Sequence, residues 1–203
     1  MDFLIERGNE MRIGIDVDNT ITDTLPLFKK YCKKYNEEVV KRNIQMNEEG
    51  FAMTNLYDLT LEEKKDCYLK YIDKAREEGK MKPKAKEIIK KLKEENNCIH
   101  IITARKRGML DPYETTKEYL DNNEIPYDEL VIQKDKKQYC IDNNIDVLID
   151  DEPQNINEVS KVIPVIAFEW THNRSCTGEN IIKVKTWNEV YKVIKEIEKK
   201  GDK

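Results

Sequence analysis

Arg12-Ile13-Gly14-Ile15-Asp16-Val17-Asp18-Asn19-Thr20 is the stretch on which the fold turns. It begins as a short, nearly unbroken apolar run and ends in an acidic, polar turn. A run without apolar–polar alternation suits a strand buried on both faces of a parallel sheet. Outward along the chain the same pattern returns at residues 99–102, 130–132, 147–149 and 164–168. Helical patterns lie between these runs. Residues 84–95 place Ile88, Ile89 and Leu92 on one face, after a Pro83 suited to a helix start. Residues 113–122 and 136–143 fit crossover helices. Near the end, Trp187, Val190, Tyr191, Ile194 and Ile197 recur at helical spacing and should cover one face of the sheet. Strands alternating with helices predict an α/β fold built on a doubly wound, mainly parallel sheet.

One stretch breaks the alternation. Residues 22–81 contain no convincing strand; 25–35 and 61–78 read as helices, with Gly50 and Asn55 marking breaks. The expected organisation is therefore an α/β core from residues 1–21 and 82–203, with a small helical cap, 22–81, inserted after strand 1. A cap at that point lies over the C-terminal edge of the sheet. No internal repeat or low-complexity linker interrupts this pattern.

A chain of 203 residues suffices for one such core and a small insert. Charged residues make up 37% of it, yet the net charge is only -4, so no electrostatic case exists for a nucleic-acid polymer or a membrane as partner. The basic stretch at residues 82–93 alternates with Glu87 and reads as an exposed helix face. The five cysteines are scattered and form no C-x-x-C pair, which argues against zinc or a redox dithiol and fits a reduced, cytoplasmic setting. No apolar run is long enough to span a bilayer, and the N-terminus lacks an apolar signal core. Residues before Arg12 read as a leader to the first strand, with Met11 an alternative start.

The strand ends carry the chemistry. Strand alternation points Asp16 and Asp18 to the same side, at the sheet edge where doubly wound folds bind ligands. Two carboxylates so close need a cation or a shared proton. Bound Mg²⁺ would keep Asp16 ionised as a nucleophile, while Asp18 could carry a proton. The plain structural alternative is a helix N-cap, where Asp, Asn and Thr are all favoured. At the next strand end, Thr103-Ala104-Arg105 offers a hydroxyl and free backbone N–H groups that can grip phosphate oxygens, or simply a cap. Arg105 has two readings, a contact to an anionic substrate or a surface salt bridge. The run 147–149 closes on Asp150-Asp151, an acidic pair that needs a metal or a lysine to balance it, and Lys136 is placed to serve.

The order acidic pair, hydroxyl, lysine, second acidic pair, with D-x-D-x-T as its first member, resembles the haloacid dehalogenase superfamily. The resemblance covers nearly the whole chain and implies a Mg²⁺-dependent phosphohydrolase working through a phospho-aspartate. Carried over residue by residue, it makes Asp16 the nucleophile and Asp18 the general acid and base. Thr103 and Lys136 would hold the phosphoryl group, beside Ala104 and Arg105. Asp16, Asp150 and the backbone carbonyl of Asp18 would bind Mg²⁺, with Asp151 in support. The chain is more closely similar to the 5′(3′)-deoxyribonucleotidase branch and its bacterial relatives, which carry a helical cap at this point. Phe51, in Gly50-Phe51, would there face the substrate and stack on a base, or else pack in the cap core. Asn19 replaces that branch's usual glycine, Ala52 and Thr24 replace aromatics, and Ala104-Arg105 replaces Ser-Pro. These departures leave phosphatase chemistry intact and bear on base preference. The expected substrate is a nucleoside monophosphate or another small ester such as a sugar phosphate. His172, Asn173 and Arg174 follow the fifth run and could border the site, His172 reading as a surface residue. A phospho-receiver domain shares these residue types but in another order and without a cap; a catalytically silent binding module would not keep every required side chain.

Overall fold

In the computed structural model, which describes residues 10–201, strand β1 is Arg12–Ile15. The leader reading of residues 1–9 lies outside the described residues. The further strands in chain order are β2 (Thr22–Asp23), β3 (Lys80–Met81), β4 (Cys98–Thr103), β5 (Glu129–Ile132), β6 (Val147–Asp150), β7 (Val165–Phe168) and β8 (Ile181–Val184). The α-helices are α1 (Leu25–Tyr35), α2 (Leu61–Glu77), α3 (Ala85–Glu94), α4 (Pro112–Asn122), α5 (Lys136–Asp142), α6 (Pro153–Val159) and α7 (Trp187–Gly201). Six strands form one sheet in the order β5-β4-β1-β6-β7-β8, every pairing parallel. The fold is the doubly wound α/β architecture that the alternation of runs predicts.

Period-2 side-chain alternation sorts each strand onto two buried faces. Ile13, Ile15, Ile99, Ile101, Ile149 and Ile166 pack with Ile89 and Leu92 of α3 and with Trp187, Val190 and Ile194 of α7. Ile102, Leu148, Val165 and Ala167 pack on the other face with Cys140, Ile156 and Val159 from α5 and α6. Burying each of these large aliphatic side chains is worth about 1.5–3 kcal/mol, which is why both faces must be apolar and why the strands read as continuous runs. Gly14 points to the second face. A Cβ there would lie 2.9 Å from Ile102 Cδ1 and 3.0 Å from Leu148 Cδ1, so the neighbouring strands' side chains close over it.

Two expectations change. The stretch 22–81 does contain strand: β2 and β3 pair antiparallel, Thr22 with Met81 and Asp23 with Lys80, as a ribbon at the base of the insertion. Two residues are too few to show any period. β8, at the sheet edge, was not foreseen because its first three residues are only half-buried and follow a polar loop. The insertion has its own apolar cluster, with Phe28, Tyr31 and Tyr35 of α1 against Cys67, Tyr71 and Ile72 of α2. α2 opens on a capping box: the Thr60 hydroxyl accepts from the Glu63 N–H, and the Glu63 carboxylate takes the Thr60 N–H. All five cysteines are free, and the insertion brings Cys32 and Cys67 to 3.8 Å between sulfurs. No helix among the described residues is long and apolar enough to cross a membrane.

Candidate active site

In this strand order the chain's winding reverses between β1 and β6, the switch point where such sheets leave a crevice. Asp16 follows β1 directly, and its N–H still bonds to the Ile149 carbonyl of β6 at 2.9 Å. Asp150 ends β6, and Thr103 ends β4 on the other side of β1. Three strand ends thus converge on one point.

After Asp16 the backbone turns around the Val17 carbonyl, which accepts from the N–H groups of Ile21 and Thr22 at 2.9 and 3.0 Å. The turn places Asn19 at φ 60°, the left-handed region. This accounts for an asparagine at a glycine position: after glycine, Asn enters that region at least cost. Its side chain also works, since Asn19 Oδ1 accepts from the Leu25 N–H at 2.7 Å and from the Thr24 hydroxyl at 3.2 Å, holding the start of α1. Trp170 and Trp187 donate their indole N–H groups to the carbonyls of Asn19 and Thr20, fastening the turn from below.

The charged groups are buried. Lys136 Nζ, 1% exposed, donates to Asp16 Oδ1 at 2.5 Å and Asp150 Oδ2 at 2.7 Å. Asp16, Asp150 and Asp151 can each bring one carboxylate oxygen within 4.8 Å of the others. Asp150 is fixed further by the Glu152 N–H at 2.8 Å and by Asn155 Nδ2 at 3.0 Å. Burial pushes the Asp16 carboxyl well above its ordinary range; Lys136 opposes this, and Asp150, Asp151 and Asp18 add to it. Asp151 is raised likewise, by burial first and then by Asp150. Burial alone would lower the Lys136 amine, but Asp150 and Asp16 outweigh it and hold it protonated. One ammonium among three clustered carboxylates leaves an excess of negative charge in a dry place. Hard oxygen donors so arranged fit a small divalent cation such as Mg²⁺.

Asp18 is not part of that cluster. Arg105 grips its carboxylate with both arms of the fork, Nε to Oδ2 at 2.8 Å and Nη2 to Oδ1 at 2.9 Å. Burial would raise this carboxyl, yet the charge and hydrogen bonds of Arg105 bring it down to about 2. Arg105 therefore favours the ionised form of Asp18, the form that can accept a proton. Arg105 is not a surface residue either, being only 6% exposed.

A cleft of about 470 Å³ opens above these groups, the size of a small-metabolite site. Asp16, Asp18, Thr103, Ala104, Arg105 and Asp150 line its floor, and Phe51, Met53, Tyr68 and Arg76 of the insertion line its roof. Lys136 does not line the cleft; it sits beneath the carboxylates, and Lys134 reaches the wall instead. Phe51 is half-buried and lies with its ring centroid 4.7 Å from that of His172. His172 corrects the surface reading: its side chain is 3% exposed, stacked also on Trp170, with Nε2 3.2 Å from Asp151 Oδ2. Asn173 is buried and donates to the Asp151 and Phe168 carbonyls at 2.8 Å. Tyr68, Arg76, Asn155 and Trp170 were not picked out from sequence, and Trp187 was read only as covering a face of the sheet. The i, i+4, i+8 spacing of Tyr68, Ile72 and Arg76 on α2 is the one local signal, and it marks Tyr68 and Arg76 alone.

Comparison with known proteins bears on the family and the fold. The family model described as 5′ nucleotidase, deoxy (pyrimidine), cytosolic type C protein matches residues 9–200. A nucleotidase of Clostridium acetobutylicum is 31% identical over 196 residues, covering 95% of this chain and 98% of its own. Among solved structures, a haloacid dehalogenase-like family hydrolase of Streptococcus pneumoniae superposes with a TM-score of 0.66 at 12% identity, over 91% of this chain and 98% of that one. A haloacid dehalogenase superfamily hydrolase of Geobacter sulfurreducens does so with a TM-score of 0.62 at 11% identity, over 93% and 98%. At these identities the structural likeness bears on the fold alone.

Proposed function

The chain belongs to the 5′-nucleotidase, deoxy (pyrimidine), cytosolic type C family of haloacid dehalogenase-type hydrolases, and on that premise we propose that it is a Mg²⁺-dependent phosphomonoesterase acting through a phospho-aspartate on nucleoside monophosphates. The observation that carries this reading is Asp16: a buried carboxylate at the end of the central strand, held by Lys136, clustered with Asp150 and Asp151, and open to the cleft. Asp16 attacks phosphorus and the ester oxygen leaves; the phosphate's negative charge beside Asp18 favours protonation of that carboxyl, which gives its proton to the leaving oxygen and takes one back from the water that then releases phosphate from Asp16. Thr103 and the backbone at Ala104 hold phosphoryl oxygens at the cleft floor, and Lys136 holds Asp16 in line. Asp16, Asp150 and the Asp18 backbone carbonyl would bind Mg²⁺, with Asp151 beside them; when bound it supplies charge to offset the phosphoryl oxygens. The insertion, residues 22–81, acts as a lid that excludes water and encloses a small substrate but not a polymer.

Turnover of a panel of deoxynucleoside and ribonucleoside monophosphates, sugar phosphates and p-nitrophenyl phosphate tests the reading. Hydrolysis lost on chelation is the expected result; turnover of sugar phosphates with none of nucleotides would move the substrate class and leave the phosphatase standing. Phe51→Ala should raise KM for a nucleoside monophosphate roughly ten- to a hundredfold, from a stacking contribution of about 1–3 kcal/mol. It should barely change hydrolysis of an ester too small to reach the roof. Equal losses on both would mean that Phe51 serves only to pack the insertion against His172.

Metal binding has a readout that does not need turnover. Asp16 and Asp151 titrate above their ordinary range in the folded chain, so their contribution to stability is full at low pH and is lost as pH rises through the raised values. A divalent cation reverses that loss and competes with protons for the same oxygens. Saturating Mg²⁺ should therefore raise the melting temperature, by the equivalent of about 2–3 kcal/mol at a hundredfold excess over Kd. The shift should be larger near pH 8 than near about pH 5.5. No shift at either pH would remove the metal assignment.

A further inference from the structure

Arg105 spends its guanidinium on the protein. Besides the two bonds to Asp18, Nη1 donates to the Thr116 hydroxyl at 3.0 Å, and that hydroxyl donates to the Pro112 carbonyl at 2.6 Å, in the first turn of α4. Arg105 is thus braced from behind by α4 while its fork faces Asp18. The fork matches a carboxylate in plane, so two parallel bonds set the plane as well as the place of the acid, which a lysine ammonium cannot do. The segment that follows is tied to the insertion. The Lys106 carbonyl accepts from Tyr68 Oη at 2.9 Å and Arg76 Nη1 at 3.1 Å, and Asp73 Oδ2 accepts from the N–H groups of Met109 and Leu110 at 2.7 and 3.1 Å. A Cβ at Gly108 would press on the side chains of Asp73 and Ile72, so the segment lies close against α2.

We propose that Arg105 is a positioning residue, not a phosphate ligand: its braced fork aligns the Asp18 carboxylate over the cleft, and the ties from α2 to the following segment make that alignment depend on the insertion being seated. The proposal rests on Asp18 as the proton-handling group. Arg105 lines the cleft, but its hydrogen bonds go to Asp18 and Thr116, so on this proposal its removal acts through Asp18.

The test is a double-mutant cycle on p-nitrophenyl phosphate and on a nucleoside monophosphate the protein hydrolyses. Arg105→Met should lower kcat about 10²- to 10³-fold, the scale of proton transfer by a positioned group, with KM changed by less than about threefold. In the Asp18→Asn background the same substitution should change kcat by less than about threefold, because the group it aligns is already gone. Arg105→Lys, which keeps the charge without the fork, should recover only part of the loss. Losses that multiply in the double variant, or a KM rise above about tenfold with kcat kept, would overturn the proposal in favour of direct substrate contact. Should Arg105→Met fail to fold, Arg105→Lys and Thr116→Val carry the same comparison. If the unmodified protein hydrolyses no phosphate ester, the functional reading fails separately, and crystal structures decide the alignment. An Asp18 carboxylate displaced in Arg105→Lys supports it, and one left in place overturns it.

Discussion

Asp16→Asn should reduce kcat/KM for any phosphate monoester by about 10³-fold or more, to within the background of the assay. Phosphate-monoester hydrolysis is among the slowest uncatalysed reactions, needing up to roughly 10²¹-fold acceleration, so a site that has lost its nucleophile has little left to offer. The same variant should trap no phosphoryl mimic such as beryllium trifluoride. Its fold should survive. Asn removes a buried carboxylate that burial already disfavours, and Lys136 keeps Asp150 at 2.7 Å as its partner. A melting temperature equal to or above that of the unmodified protein is therefore expected, as is common when an active-site charge is deleted. More than a few per cent of residual turnover in a folded variant would take the nucleophile's role away from Asp16.

Lys136→Met should have the largest effect on stability. The ammonium lies 2.5 Å from Asp16 and 2.7 Å from Asp150, wholly out of water, and methionine fills much of its volume without its charge. Breaking a buried pair by removing one partner costs roughly 3–5 kcal/mol, because the other charge stays behind unpaired. Here one of the remaining partners, Asp16, is a carboxyl whose charged form burial already disfavours, so it can escape part of that cost by taking up a proton. Without the lysine, which lowers Asp16, that carboxyl moves higher still. Stability is then lost over a wider range as pH rises, and the deficit against the unmodified protein should grow between about pH 5 and pH 8. Urea denaturation of both proteins at the two pH values measures it. A loss below about 1 kcal/mol, or one independent of pH, would mean that the cluster is not charged in the way the geometry implies.

Local sequence determined the frame of this protein and the identity of its reacting groups. Five of the six parallel strands were legible because burial on both faces demands unbroken apolar runs, and that demand acts residue by residue; β8, half-buried at the edge, escaped it. Asp16, Thr103 and Asp150 were legible because each ends such a run, and in this sheet order strand ends meet at one crevice. The insertion was legible as a long helical stretch between runs, although its two-residue strands were not, since a pair of residues has no period.

What only the tertiary structure decided is which charges hold which. Lys136 was marked as the balance for Asp150-Asp151, but not as crossing 120 residues of sequence to reach Asp16; Arg105 crosses 87 to reach Asp18. No local pattern carries such choices, because the energy of a buried ion pair depends on distance, fork geometry and exclusion of water, all set by the packing of distant elements. His172 shows the same limit. Beside a polar loop it reads as exposed, and it is buried because Phe51 from the insertion and Trp170 from the core stack against its ring while Asp151 meets its Nε2. Sequence named the acids of the site; the fold determined that Asp16 joins the cluster around Lys136, whereas Asp18 is held apart by an arginine.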